Sequence, residues 1–306
     1  MNDQRHQVSR SIIRTLLYYD IFNYPLTVQE VHRFLGTNSV TAEDVRVELH
    51  KLATEGKIFS YDNFFAVQNA KTNVLRRIKG NKFAERYKQF AQRRARMIGR
   101  FPFVRSVMGS GSFSKGYMDE NSDLDFFIIT APGRLWIARM LIVVFKRLFF
   151  LNSHKYFCCN YFIDTDHLEI EEKNLFTATE LATLLPLYGV AHYHKLMEAN
   201  RWLTDYFPNY KINRAAMATE KETGIVKKVL EKLMNNRFGD RLNAWFMKLT
   251  LQRWKKLYAH NYSGSDFDNA FKTRAYVSKN HPRHFQRKVI ERHEERIKWF
   301  DESLIR

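Results

Sequence analysis

The feature that most constrains this chain is the stretch 107–129, where a glycine-serine turn is followed by two closely spaced aspartates and then by an unbroken apolar run. Residues 106–108 read as the end of a short strand. Gly109 and Gly111 then permit a tight turn that exposes backbone N–H groups, the outline of a phosphate cradle. Ten residues separate Ser112 from Asp123-Leu124-Asp125, which runs into Phe126, Phe127, Ile128 and Ile129, the pattern of a buried strand with a polar entry. Strand alternation sends Asp123 and Asp125 to the same face. Two carboxylates side by side at a buried strand end repel each other unless a cation lies between them. Magnesium is the expected cation, because it is held by hard oxygen ligands and keeps positions for water and phosphate.

Gly111-Ser112, ten residues and then Asp123-Leu124-Asp125, with Ser114, Lys115 and Gly116 inside the gap, resembles the nucleotidyltransferase superfamily that includes DNA polymerase beta, particularly its small minimal members. The resemblance implies an α/β (α+β) fold in which a small mixed sheet is flanked by helices. It implies transfer of a nucleoside monophosphate from a nucleoside triphosphate to a hydroxyl, with release of pyrophosphate. Gly111 and Ser112 would hold the terminal phosphates, Lys115 would offset their charge, and Asp123 and Asp125 would hold one or two magnesium ions. Family members commonly place a third carboxylate on a later strand, as metal ligand or base. A strand over 155–164 is the place for it here, and Asp164 is the candidate base. Asp166 falls in the turn beyond, and Asn160, on the same face as Asp164, is a weaker neutral occupant. With Asn160 in that position the base is missing, and the chain would instead sense nucleotide or be a degenerate regulator that binds DNA.

Composition sets the surroundings of this motif. A chain of 306 residues with 45% apolar residues can build more than one core. The N-terminus is polar, and the most apolar helix candidate, 135–151, is interrupted by Arg139, Lys146 and Arg147, so no membrane partner and a cytoplasmic location are expected. The two cysteines are adjacent at 158 and 159, which suggests neither a disulfide framework nor a zinc site. Net charge is +18, distributed as +9 over 1–100, −2 over 101–200 and +11 over 201–306. Basic flanks around a near-neutral centre favour a polyanionic partner, either nucleic acid or an acidic protein surface.

Before the motif, 7–19 has helical spacing, Thr27 and Glu30 form a capping-box pattern, and a second helix of that kind opens at Thr41 and ends before Gly56. Strands over 57–61 and 64–67 meet at Asp62-Asn63. This order resembles a winged helix-turn-helix domain over 1–72, with 42–55 in the recognition position. Four acids there (Glu43, Asp44, Glu48, Glu55) outnumber Arg46 and Lys51, an unusual face for contacting phosphates. A basic helical connector spans 73–100, and the nucleotidyltransferase-like domain is placed at 101–210. From Phe176 onward helices are expected to the end, with a basic helical region over 211–306 that includes an amphipathic segment at 224–258, a turn at 264–268 and a cap for the last helix at 278–282.

Overall fold

A computed structural model describes residues 2–38, 40–150, 157–212, 224–280 and 285–303. The chain begins with three helices, α1 (Asn2–Asp20), α2 (Val28–Arg33) and α3 (Ala42–Thr54), then a hairpin of β1 (Phe59–Tyr61) and β2 (Phe64–Ala66). Both capping boxes form: the side chains of Thr27 and Thr41 accept from the N–H groups of Glu30 and Asp44, whose carboxylates accept in return. Asp62 takes a positive φ in the hairpin turn. A long helix, α4 (Lys71–Gly99), leads into the central sheet.

That sheet is mixed. It is built from β3 (Val104–Ser110), β4 (Asp125–Thr130) and β5 (Cys158–Asp164), with β6 (Leu185–Tyr188), β7 (Thr273–Arg274) and β8 (Val277–Lys279), in the order β6-β3-β4-β5-β8-β7. β4 runs antiparallel to β3 and parallel to β5. Between these strands lie the short α5 (Gly111–Ser114), α6 (Leu135–Phe150), α7 (Leu175–Thr183), α8 (Val190–Ala199), α9 (Leu203–Tyr206), α10 (Ile225–Met234), α11 (Arg237–Tyr258) and α12 (Gly264–Ala270), and α13 (Phe285–Ser303) closes the described chain. The fold class is α+β.

Alternation along β4 divides the interior. Phe126 and Ile128 join Ala91, Ala95 and Ile98 of α4 and Trp136 and Ile142 of α6 on one face. Phe127 and Ile129 face the other way, into a core shared with Ile12 and Leu16 of α1, Val45 and Leu49 of α3, and Phe176 and Leu181 of α7. The N-terminal helices therefore bury their apolar stripe in a core that is continuous with this face of the sheet.

The expectation of helices to the end is corrected here. The helical run expected from Phe176 onward is broken after Thr183, and Leu185–Tyr188 is an edge strand, where Pro186 is tolerated because its missing N–H sits at the sheet margin. The C-terminal region contributes β7 and β8 to the same sheet, so Ser278 and Lys279 are strand residues rather than a helix cap; His281 and Pro282 lie outside the described residues. The expected turn at 264–268 is instead helix α12, capped by the Ser263 hydroxyl, which accepts from the Asp266 N–H at 3.2 Å. Among the described residues, no helix is long and apolar enough to cross a membrane.

Candidate functional site

The turn after β3 delivers its glycine to a carboxylate. Gly111 has φ +65°, and a Cβ added there would lie 2.6 Å from Oδ2 of Asp125, so only glycine brings the backbone this close to the acid. Asp125 is the first residue of β4 and is directly paired with Ser110. Ser112 and Lys115 belong to the same turn. The Lys115 ammonium donates to the carbonyl of Gly111 at 3.1 Å and to Glu180 Oε1 at 2.7 Å, which ties the turn to α7.

Asp125 is half-buried, and burial is the main reason its carboxyl is pushed up to about 7. The negative charges of Asp123 and Glu180 push in the same direction, while a hydrogen bond from Cys158 and the charge of Lys115 oppose them. The sequence reading placed Asp123 on the strand. The structure places it, exposed, in the loop two residues before β4 begins. It remains close enough to act on Asp125 electrostatically.

The remaining expected residue is elsewhere. Asp164 pairs with Thr130, at the opposite end of β4 from Asp125, five residues and therefore about 17 Å along the strand. There its Oδ1 lies 2.7 Å from Nδ1 of His167 and accepts from the Asp166 N–H at 3.2 Å. Asn160 sits beside Asp125 instead, donating from Nδ2 to Oδ1 at 2.6 Å. A bulge in β5 between its pairings with Phe126 and Phe127 helps set this register, which strand alternation alone does not reveal.

Gly111, Ser112, Lys115, Asp125, Asn160 and Glu180 line a cavity of about 540 Å³, and Asp123 and Asp164 lie outside its lining. Ser110, Gly111, Ser112, Lys115 and Asp125 form one end. Tyr19 comes from α1, Phe22 and Tyr24 from the turn between α1 and α2, Phe176 and Glu180 from α7, and Lys279, Asn280 and Phe285 from the C-terminal region. Two hydrogen bonds fasten the walls: Tyr24 Oη donates to the carbonyl of Lys115 at 2.8 Å, and the Asn280 N–H donates to the carbonyl of Asn160 at 2.9 Å. Glu180 was missed by sequence reasoning, although it left a trace as the only charged residue in the run 175–184.

A cation is tested by the donor set. Among the described residues no three His, Cys, Asp or Glu side chains converge into a ready-made metal cage. Magnesium, however, is commonly bound through one or two carboxylates with water and substrate phosphate completing its shell. Asp125 and Asp123 would supply that minimum, and a cation there would offset both the burial of the Asp125 carboxylate and its smaller repulsion from Asp123.

No family model matches the chain, and neither the curated proteins nor the solved structures contain a match to it.

Proposed function

We propose that the cavity is a magnesium-dependent nucleoside triphosphate site of the nucleotidyltransferase kind, and that it transfers a nucleoside monophosphate to a hydroxyl. The observation that carries this reading is the approach of the Gly111 turn to the Asp125 carboxylate, with Lys115 beside both. A glycine turn, a cation and an acid at one end of an aromatic-lined cavity suit a triphosphate at that end and a base among the rings.

In this reading Gly111 and Ser112 bind the terminal phosphates, and Lys115 turns from Glu180 to offset their charge. Asp125 and Asp123 would hold magnesium, which would supply charge neutralisation along the triphosphate. Glu180, released from Lys115, takes the proton of the acceptor hydroxyl. The acceptor oxygen then bonds to the α-phosphorus as the bond to pyrophosphate breaks. The rate gain is electrostatic and positional. The basic first and last thirds of the chain suit a nucleic acid or an acidic protein as the acceptor.

A second reading is favoured by one contact. Asn160 occupies the place beside Asp125 where the family resemblance implies an acid, which fits a protein that senses nucleotide without turning it over, and whose N-terminal winged-helix-like unit then contacts DNA. Calorimetric titration of the four nucleoside triphosphates, with and without magnesium, against the wild-type chain, Asp123→Ala and Asp125→Ala tests the shared premise. Magnesium-dependent binding lost in both variants is expected, and no binding of any triphosphate refutes it. Pyrophosphate release that Glu180→Gln abolishes while nucleotide binding persists supports transfer. Binding without release, across nucleic acid, protein and water acceptors, supports the sensor.

A further inference from the structure

Helix α10 docks through a mixed stripe, in which the polar Lys227 and Glu231 alternate with the partly buried Leu230 and Met234. Lys227 is buried, its ammonium donating to the carbonyls of Gly99 and Val104 at 2.8 and 2.6 Å, and Glu231, one turn on, pairs with Arg105 at 2.8 Å. A second set of aliphatic side chains faces solvent: Ile225 is 80% exposed, Val229 49% and Leu233 63%. A surface helix ordinarily turns such side chains inward. The following helix packs Leu242, Phe246 and Met247 against the core, yet it too leaves large apolar side chains outside. Gly239, Asn243, Thr250 and Trp254 of α11 are buried, whereas Phe238, Trp245 and Leu249, spaced seven and four residues apart on one face, are 66%, 55% and 41% exposed.

Charge narrows what covers these faces. Residues 224–258 carry nine lysines and arginines against two acids, and both acids are held by basic groups outside the stretch, Glu231 by Arg105 and Asp240 by Arg134. Lys228 and Lys232 flank the stripe of α10, and Arg241 and Lys248 flank that of α11; all four are exposed. A second copy would set basic rim against basic rim in a chain of net charge +18. Nucleic acid would match the charge and leave the aliphatic stripe facing phosphates and water. An anionic lipid surface matches both, with the stripe in the acyl boundary, Trp245 and Phe238 at headgroup depth and the cations on the headgroups.

We propose that α10 and α11 form a peripheral docking face for anionic membranes. This requires no spanning helix, so it revises only the expectation that the chain has no membrane partner. The test is flotation of the full chain with vesicles of phosphatidylglycerol in phosphatidylcholine and with vesicles of phosphatidylcholine alone, at low and high salt. Salt-sensitive flotation with the anionic vesicles only is expected. The variant Ile225→Asp/Val229→Asp/Leu233→Asp, altered at side chains that already face solvent, should keep its thermal midpoint and lose partitioning by up to about a thousandfold, since each of the three aliphatic groups kept in water forfeits about one factor of ten. Lys228→Glu/Lys232→Glu should lose the preference for anionic lipid. Absence of flotation, equal flotation with neutral vesicles, or unchanged flotation of the triple variant overturns the proposal. So does a wild-type dimer that the triple variant converts to monomer, or RNA binding that depends on the stripe in a chain that ignores vesicles.

Discussion

Replacing Asp125 by asparagine should make the nucleotide-free protein more stable at alkaline pH while removing its function. The carboxyl titrates near 3.8 ordinarily and is pushed up to about 7 in the fold, chiefly by burial. The folded state therefore holds a proton that the unfolded chain has released, and the stability this confers is fully present below about pH 4 and lost as pH rises through about 7. The ceiling on that loss, from about 1.4 kcal/mol per pH unit across this interval, is about 4 kcal/mol, and water reaching a half-buried group reduces it to about 2 kcal/mol. Asparagine keeps the shape, accepts from Asn160 as the carboxylate does, and never ionises. At pH 8 the variant should melt about 3 °C above wild type, and the difference should close as pH falls to about 4. Magnesium with triphosphate should restore the order by raising the wild-type midpoint alone, through mass action. Thermal unfolding across pH, with and without magnesium nucleotide, reads all of this. A variant that is less stable at pH 8, or a difference constant from pH 4 to 8, would show that Asp125 is not an electrostatically strained acid.

Gly111→Ala places a methyl 2.6 Å from the Asp125 carboxylate at a positive φ, so it should cost about 1–2 kcal/mol in chemical denaturation and weaken triphosphate binding in titration calorimetry. Arg77→Ala removes a buried guanidinium that donates to both oxygens of Glu30 at 2.7 Å, donates to the carbonyl of Pro25 and lies 4.2 Å over the ring of Tyr24; a loss of about 3–5 kcal/mol is expected from the denaturation midpoint. Asp164→Asn should leave nucleotide affinity unchanged, because its partners are His167 and Asp166 at the far end of the strand; loss of affinity would return Asp164 to the site.

The local grammar of the chain was legible and its long-range pairings were not. Capping boxes at Thr27 and Thr41, the turn at Asp62 and the run Phe126–Phe127–Ile128–Ile129 each encode their structure within a few residues, and all of them formed. The Gly111 turn and Asp125 likewise came together, since one short excursion joins two neighbouring antiparallel strands. The third position failed for a register reason: a single bulge in β5 helps decide that Asn160, not Asp164, meets Asp125. β7 and β8 were missed because strands of two and three residues have too little length to show a period. Glu180 was missed because its role depends on α7 crossing to Lys115, 65 residues back along the chain.

On the proposed reading, side-chain contacts also bear on the role of the N-terminal unit. Its recognition-position helix spends its cations on its own acids: Arg46 pairs with Glu43 at 2.5 Å, and Lys51 lies 3.4 Å from Glu48 and 3.8 Å from Glu55. To bind phosphates these pairs must open, in a helix whose other exposed residues include Asp44. Its opposite side is committed. Tyr19, Phe22 and Tyr24 form a wall of the cavity, Tyr24 holds the backbone of Lys115, and Glu30 anchors Arg77 of the connector helix. A unit fastened this way is placed to respond to what fills the cavity, if the proposed site binds nucleotide. A ligand that draws Lys115 away from Glu180 acts on the same turn that Tyr24 grips, so nucleotide should tighten the N-terminal helices against the sheet. Slower amide exchange in 14–24 on adding magnesium triphosphate would express that coupling, and exchange that slows only around 110–115 would mean that the wall is passive.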